Sequence, residues 1–85
     1  MWQLEYSNIA AKQISELPTR DKSKVGKALE LLVTNPDLGK QLVGPLKGLR
    51  SYRIGKYRII YKKENAYFVI LIVAVGLRKN IYLKR

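Results

Sequence analysis

The sequence predicts an α+β domain in which a two-helix hairpin packs on one face of a small, mainly antiparallel sheet of four to five strands. Three observations carry that expectation. Apolar residues recur at helical spacing ahead of Pro36, the period switches to two after Gly48, and glycine and proline cluster between the two regimes. The 85 residues make a single domain, 1–85. A chain of this size buries roughly 60% of its unfolded surface, so it has room for one core and little room for a deep pocket.

The elements follow in order. Trp2-Gln3-Leu4-Glu5-Tyr6 alternates apolar and polar, as a short strand does. Ser7 suits the N-cap of a first helix that Pro18 closes just beyond Leu17, with Ala10, Ile14 and Leu17 on one stripe. Thr19 or Asp21 is expected to cap a second helix, in which Val25, Ala28, Leu29, Leu32 and Val33 keep the helical period until Asn35-Pro36 stops it. Pro36 to Gly48 contains Gly39, Gly44-Pro45 and Gly48 and is expected to be a connecting loop. It is not a phosphate-cradling loop, because no Gly-Lys-Ser/Thr follows and no helix begins there. Leu49 to Ile54 and Tyr57 to Lys62 are expected strands joined by Gly55-Lys56, and glycine first in a two-residue loop marks a type II′ hairpin. Lys63 to Ala66 is a second expected turn. Tyr67 to Val75 is almost wholly apolar and β-branched, the pattern of a central strand covered on both faces. Gly76 ends it, leaving Asn80 to Leu83 for an optional last strand. The expected order is β-α-α-β-β-β with that optional addition.

Composition narrows the chemistry. There is no cysteine and no histidine. Thiolate chemistry and disulfides are excluded, and a reducing, cytoplasmic setting is expected. The start, Met-Trp-Gln-Leu-Glu, lacks a basic-then-apolar signal pattern, and the apolar run from Phe68 to Val75 is far short of the ~20 residues of a membrane helix. Seventeen basic residues against six acidic ones give a net charge of +11. The excess is one-sided: residues 1–46 carry a net +1, and residues 47–85 carry +10 with Glu64 as their one acid. Such placement points to a polyanionic partner, since each neutralised phosphate releases condensed counterions. The blander alternative is a solvated surface kept for solubility.

The hairpin register supplies a sharper clue. With Gly55-Lys56 as the loop, Arg53 lies opposite Arg58 and both leave the same face. Like charges in opposed positions are destabilising by part of the ~0.2–1 kcal/mol typical of cross-strand pairs. Two guanidinium forks on a rigid hairpin make a site for a phosphate; the alternative is that both are splayed into water. A histidine acid–base pair and a serine triad are impossible in this chain. The acids, Glu5, Glu16, Asp21, Glu30, Asp37 and Glu64, are scattered, so two-metal phosphodiester chemistry has no clustered carboxylates to use. No metal and no cofactor are expected. A nuclease of this composition must act chiefly by stabilising transition-state charge.

The run from Gly44 to Tyr61 (GPLKGLRSYRIGKYRIIY) resembles the core signature of RelE/ParE-family toxins, and Val73 to Tyr82 (VAVGLRKNIY) resembles that family's closing motif. The helical hairpin ending in Asn35-Pro36 also fits, so the resemblance covers nearly the whole chain and implies a RelE-like fold. Members of the RelE branch are metal-independent endoribonucleases that cut messenger RNA, often in the ribosomal A site. The resemblance implies attack by a ribose 2′-hydroxyl on its own phosphate, leaving a 2′,3′-cyclic end. Arg58 would stabilise the charged phosphorane, Arg78 would protonate or neutralise the leaving group's side, and Arg53 would orient the scissile phosphate. Tyr82 would be a general base and a stacking surface; the duller alternative is a strand residue half-covering the core. Leu77 stands where some members carry a histidine. Lys47, Arg50, Lys56, Lys62, Lys63 and Lys79 are read as RNA-backbone contacts that give affinity without sequence preference. Tyr52, Tyr57 and Tyr61 are read as sheet packing.

A toxin of this type implies an acidic antitoxin, partly disordered alone, that covers the basic face. Two further readings stay open at this point: a toxin of the ParE branch that inhibits DNA gyrase by binding, and a non-catalytic RNA-binding module.

Overall fold

Strand β1 (Gln3–Tyr6) leads into helices α1 (Asn8–Ser15) and α2 (Thr19–Thr34), followed by β2 (Lys40–Gln41), β3 (Arg50–Ile54), β4 (Tyr57–Glu64) and β5 (Val69–Leu77). A short 3₁₀ turn occupies Gly44–Leu46. The structure, a computed structural model, describes residues 2–78; the optional strand expected at Asn80 to Leu83 lies outside the described residues. The strands form one sheet in the order β1-β5-β4-β3-β2. β1 runs parallel to β5, and the other pairings are antiparallel. Both helices pack on one face, the α+β arrangement expected.

The helical half forms for the reasons its pattern suggests. Ser7 Oγ accepts the Ala10 N–H at 2.9 Å and caps α1. The apolar stripe of α2 buries Val25, Ala28, Leu29 and Leu32 against Ile59, Tyr61, Ile70, Ile72 and Val75 of the sheet, with Ala10 of α1 completing the cluster. Neither Thr19 nor Asp21 caps α2. Pro18 is the N-cap, with extended backbone and no side-chain cap bond. Its fixed φ is pre-set for helix entry, so Thr19 is already helical and Asp21 falls in the first turn.

Three other boundaries move. The segment expected to be a loop contains β2, which pairs Lys40 with Ser51 and Gln41 with Arg50. Two exposed polar residues carry no alternation; their strand exists because β3 offers a free edge. β4 runs two residues past Lys62, and its turn onto β5 falls at residues 65–68, with Phe68 at a left-handed φ of +54°. β5 continues past Gly76 to Leu77. It is fully buried at Ile70, Ile72 and Val75 but only half-buried at Val69, Leu71 and Val73, so the expectation of complete cover on both faces is not met.

One irregularity sets up the site. Tyr61 pairs with Ile72 while Ile60 pairs with Ala74, so Val73 is an extra residue in β5, a β-bulge. A one-residue insertion flips every later position to the opposite face. Ile70 and Ile72 point at the helices; beyond the bulge Val75 does so, and Ala74 and Gly76 turn to the helix-free side. Helix α1 satisfies the backbone groups thus set loose. Ser7 Oγ donates to the Val73 carbonyl at 2.7 Å, and Gln13 Oε1 accepts the Val75 N–H at 2.7 Å.

Candidate nucleic-acid interface

Strand alternation divides the sheet into two chemically different faces. Tyr52, Ile54, Ile59, Tyr61, Ile70, Ile72 and Val75 point at the helices. The open face takes Ser51 and Arg53 from β3, Arg58, Ile60 and Lys62 from β4, and Ala74 and Gly76 from β5. Arg53 pairs with Arg58, and Arg58 pairs with Gly76 on its other side, one row across three strands. The connecting turn explains that register. Gly55 has φ +55°, and among the described residues Phe68 is the one non-glycine with positive φ, so Lys56 sits at negative φ. That combination is the type II′ turn expected for Gly55-Lys56.

The row is held in place. Arg58 Nη1 donates to Ser51 Oγ at 3.0 Å, and Ser51 is 4% exposed. The Arg78 N–H donates to the Lys56 carbonyl at 2.9 Å, which ties the residue after β5 to the turn between the two arginines. Arg78 Nε is buried and donates to no partner among the described residues. Lys40 enters the same face through its pairing with Ser51, a contribution that sequence reasoning missed because β2 carries no periodic signal. The one acid beside these cations is Glu64, whose carboxylate is 3.2 Å from Lys62. Glu5 lies on β1, at the far edge of the sheet.

The remaining expected contacts divide. Arg50 lies on the opposite side of β3 from Arg53. Its Nη1 donates to the Gly39 carbonyl at 2.8 Å and its Nη2 sits 3.3 Å from Asp37, so this guanidinium holds the loop after α2. Lys63 shares that carboxylate at 2.8 Å and lies 5.6 Å over the Trp2 ring. The hydrogen bond from Lys63 keeps the Asp37 carboxyl below its ordinary range, with desolvation opposing it and the charges of Lys63 and Arg50 reinforcing it. Lys47 is exposed after the 3₁₀ turn, and Lys56 is exposed at the hairpin tip. Lys79 and Tyr82 lie outside the described residues.

Two sheet tyrosines pack as expected, and both are biased against becoming phenolate. The Tyr57 hydroxyl donates to Asp21, which raises its pKa, with burial and the carboxylate charge adding to the rise. Tyr61 is fully buried; burial raises its pKa against the lowering effect of the Gly39 N–H. Its hydroxyl donates to the Pro36 carbonyl at 2.6 Å and accepts that N–H at 2.9 Å. A Cβ on residue 39 would fall 2.6 Å from the hydroxyl oxygen, so glycine is required for this approach. Among the described residues, no three acidic side chains gather where they could hold a metal ion, and no helix is long and apolar enough to cross a membrane.

A sequence model for the family described as the ParE toxin of the type II toxin–antitoxin system, parDE, matches residues 4–82. The chain belongs to the ParE toxin family of type II toxin–antitoxin systems. The toxin is similar in structure to the RelBE2 toxin–antitoxin complex of Mycobacterium tuberculosis, with 28% identity and a TM-score of 0.84 over 91% of this chain and 98% of that one. The isolated E. coli RelE toxin matches at 19% identity and TM-score 0.79, covering 98% of this chain and 93% of that one. YafQ from E. coli strain BL21(DE3) matches at 21% identity and TM-score 0.77, covering 96% and 99%. The last two likenesses establish the RelE-like fold. No curated protein sequence matches the toxin.

Proposed function

We propose that this toxin is a metal-independent endoribonuclease that cuts messenger RNA, with the open face of the β3–β4 hairpin gripping the reacting phosphodiester. The observation that carries the reading is the in-register Arg53–Arg58 pair beside Gly76, with Arg78 tied to the same turn. A fold that holds like charges face to face gains nothing in stability from them. An anion between them makes the pair favourable.

In the proposed reaction the 2′-hydroxyl oxygen bonds to the adjacent phosphorus, and the bond from phosphorus to the 5′ oxygen breaks. The products are a 2′,3′-cyclic phosphate and a 5′-hydroxyl. Arg58, steadied by Ser51, faces the charge that grows on the phosphorane oxygens. Arg53 orients the phosphate bidentately, and Arg78 neutralises the leaving oxygen, which takes a proton from water to become the 5′-hydroxyl. Tyr82 takes the 2′-hydroxyl proton, a role for which Tyr57 and Tyr61 are unsuited by their raised pKa values. Lys40, Lys56, Lys62 and Lys79 act on the backbone of the RNA strand. The face is shallow, so the ribosomal A site would supply the geometry that 85 residues do not.

RelBE2 is a toxin–antitoxin complex, as is the intact E. coli RelBE. The partner of the present toxin is accordingly an antitoxin; its acidic character and its seat on the basic face follow from the +10 half of the chain. A second reading, inhibition of DNA gyrase by binding, is favoured by the family assignment itself. Mapping transcript 5′ ends after brief induction separates the two. Codon-phased new ends support the nuclease, whereas DNA damage without such ends supports the gyrase-directed toxin and removes the nuclease.

A further inference from the structure

The hairpin tip has a second charged side. Ile54 and Tyr57, the pair flanking the turn, point away from the Arg53–Arg58 row and toward the start of α2. Between them and the helix lies a cavity of about 330 Å³ lined by Arg20, Asp21, Lys24, Lys56 and Tyr57. Three cations therefore face one carboxylate. Asp21 is bonded to the Tyr57 hydroxyl, and no ion pair joins it to Arg20, Lys24 or Lys56 among the described residues. The cavity's acid is thus occupied by a neutral donor, and its cations are left without a counter-charge. Its lining mixes these cations with Ile54 and Tyr57, and the guanidinium and ammonium groups are the part of it that suits a phosphate.

Lys56 connects this cavity to the reaction face. Its side chain lines the cavity while its carbonyl accepts the Arg78 N–H. We infer that the Arg20–Lys24–Lys56 cavity binds the single-stranded RNA backbone at a phosphate flanking the one that reacts, so that the strand wraps the hairpin tip. The inference rests on the proposed ribonuclease reading and adds a binding subsite to it. The site reads no base, since its donors are those of Lys and Arg to a phosphate.

The test uses the whole toxin and a short oligoribonucleotide with 2′-O-methyl riboses, which bind but lack the attacking hydroxyl. Affinity is measured by fluorescence anisotropy against salt. Each phosphate contact on a single strand contributes about 0.7 to the slope of log affinity against log salt. Arg20→Ala/Lys24→Ala should lower that slope by about 0.7, the share of the one flanking phosphate, whereas the charge-matched Lys12→Ala/Lys27→Ala on exposed helix surfaces should not. With cleavable RNA, the loss should fall on the half-saturating concentration rather than on the saturated rate. An unchanged slope overturns the inference, as does an equal drop in the control pair, which would assign the effect to net charge alone. Weakened binding of an acidic antitoxin peptide with RNA binding intact also overturns it, giving the cavity to the partner. If the parent toxin cuts no RNA, the nuclease reading falls while the slope still decides the cavity.

Discussion

Replacing Arg53 by glutamine should make the toxin more stable while weakening the RNA cleavage proposed for it. Arg53 and Arg58 are register partners on adjacent strands, and Arg53 is exposed with no ion pair among the described residues. Two unit charges about 7 Å apart in water repel by roughly 0.6 kcal/mol, inside the ~0.2–1 kcal/mol span of cross-strand pairs. For a domain of this size that corresponds to a rise in Tm of about 2–5 °C. Glutamine keeps the length of the side chain and removes the charge. Lys12→Gln on α1 removes one charge far from the pair and measures the relief of net repulsion alone. Thermal unfolding is followed at low salt and at 1 M, where the screening length falls to about 3 Å. The Arg53→Gln gain should exceed the Lys12→Gln gain at low salt and vanish at high salt. A variant less stable than the parent at low salt, or a gain indifferent to salt, would refute the claim that the site strains the fold.

Tyr61→Phe leaves the Pro36 carbonyl and the Gly39 N–H buried without their shared partner. At about 1–3 kcal/mol for each unsatisfied group, the urea midpoint should fall by the equivalent of ~2–6 kcal/mol with the m-value unchanged. Gln13→Leu orphans the Val75 N–H at the β5 bulge and should cost about 1–3 kcal/mol in the same assay, with the proposed cleavage lowered further because the bulge sets the face of Gly76, the register partner of Arg58. The pH prediction concerns Asp37, whose folded pKa lies below the unfolded value of 3.8. Its contribution is present above that unfolded value and lost as pH falls through the folded one. Asp37→Asn should therefore flatten the acid limb of the stability curve below about pH 4 and leave the shape above it unchanged.

Much of the site was readable because its geometry is local. A two-residue glycine turn and period-two alternation are enough to place Arg53 opposite Arg58, and the structure pairs them so. The same alternation would have turned Arg50 inward with Tyr52 and Ile54; it was read instead as one more cation in a basic run. Non-local pairing was harder. Nothing in Lys40-Gln41 distinguishes a strand from a loop until β3 presents its edge, and the parallel pairing of β1 with β5 joins residues more than sixty positions apart. The bulge at Val73 was hidden because a continuous apolar run looks alike with or without an extra residue. The cavity cations Arg20 and Lys24 read as ordinary helix surface until the hairpin packs beside them.

The central claim is that Arg58 stabilises charge on a reacting phosphorane rather than merely holding RNA. Single-turnover cleavage of a saturating RNA by Arg58→Ala tests it most directly, alongside the affinity of the same variant for the uncleavable 2′-O-methyl strand. The rate should fall about 10²–10³-fold, the usual loss of one preorganised donor, while affinity changes by far less. Equal losses in rate and affinity would reduce Arg58 to a phosphate contact, and an unchanged rate would remove it from the chemistry.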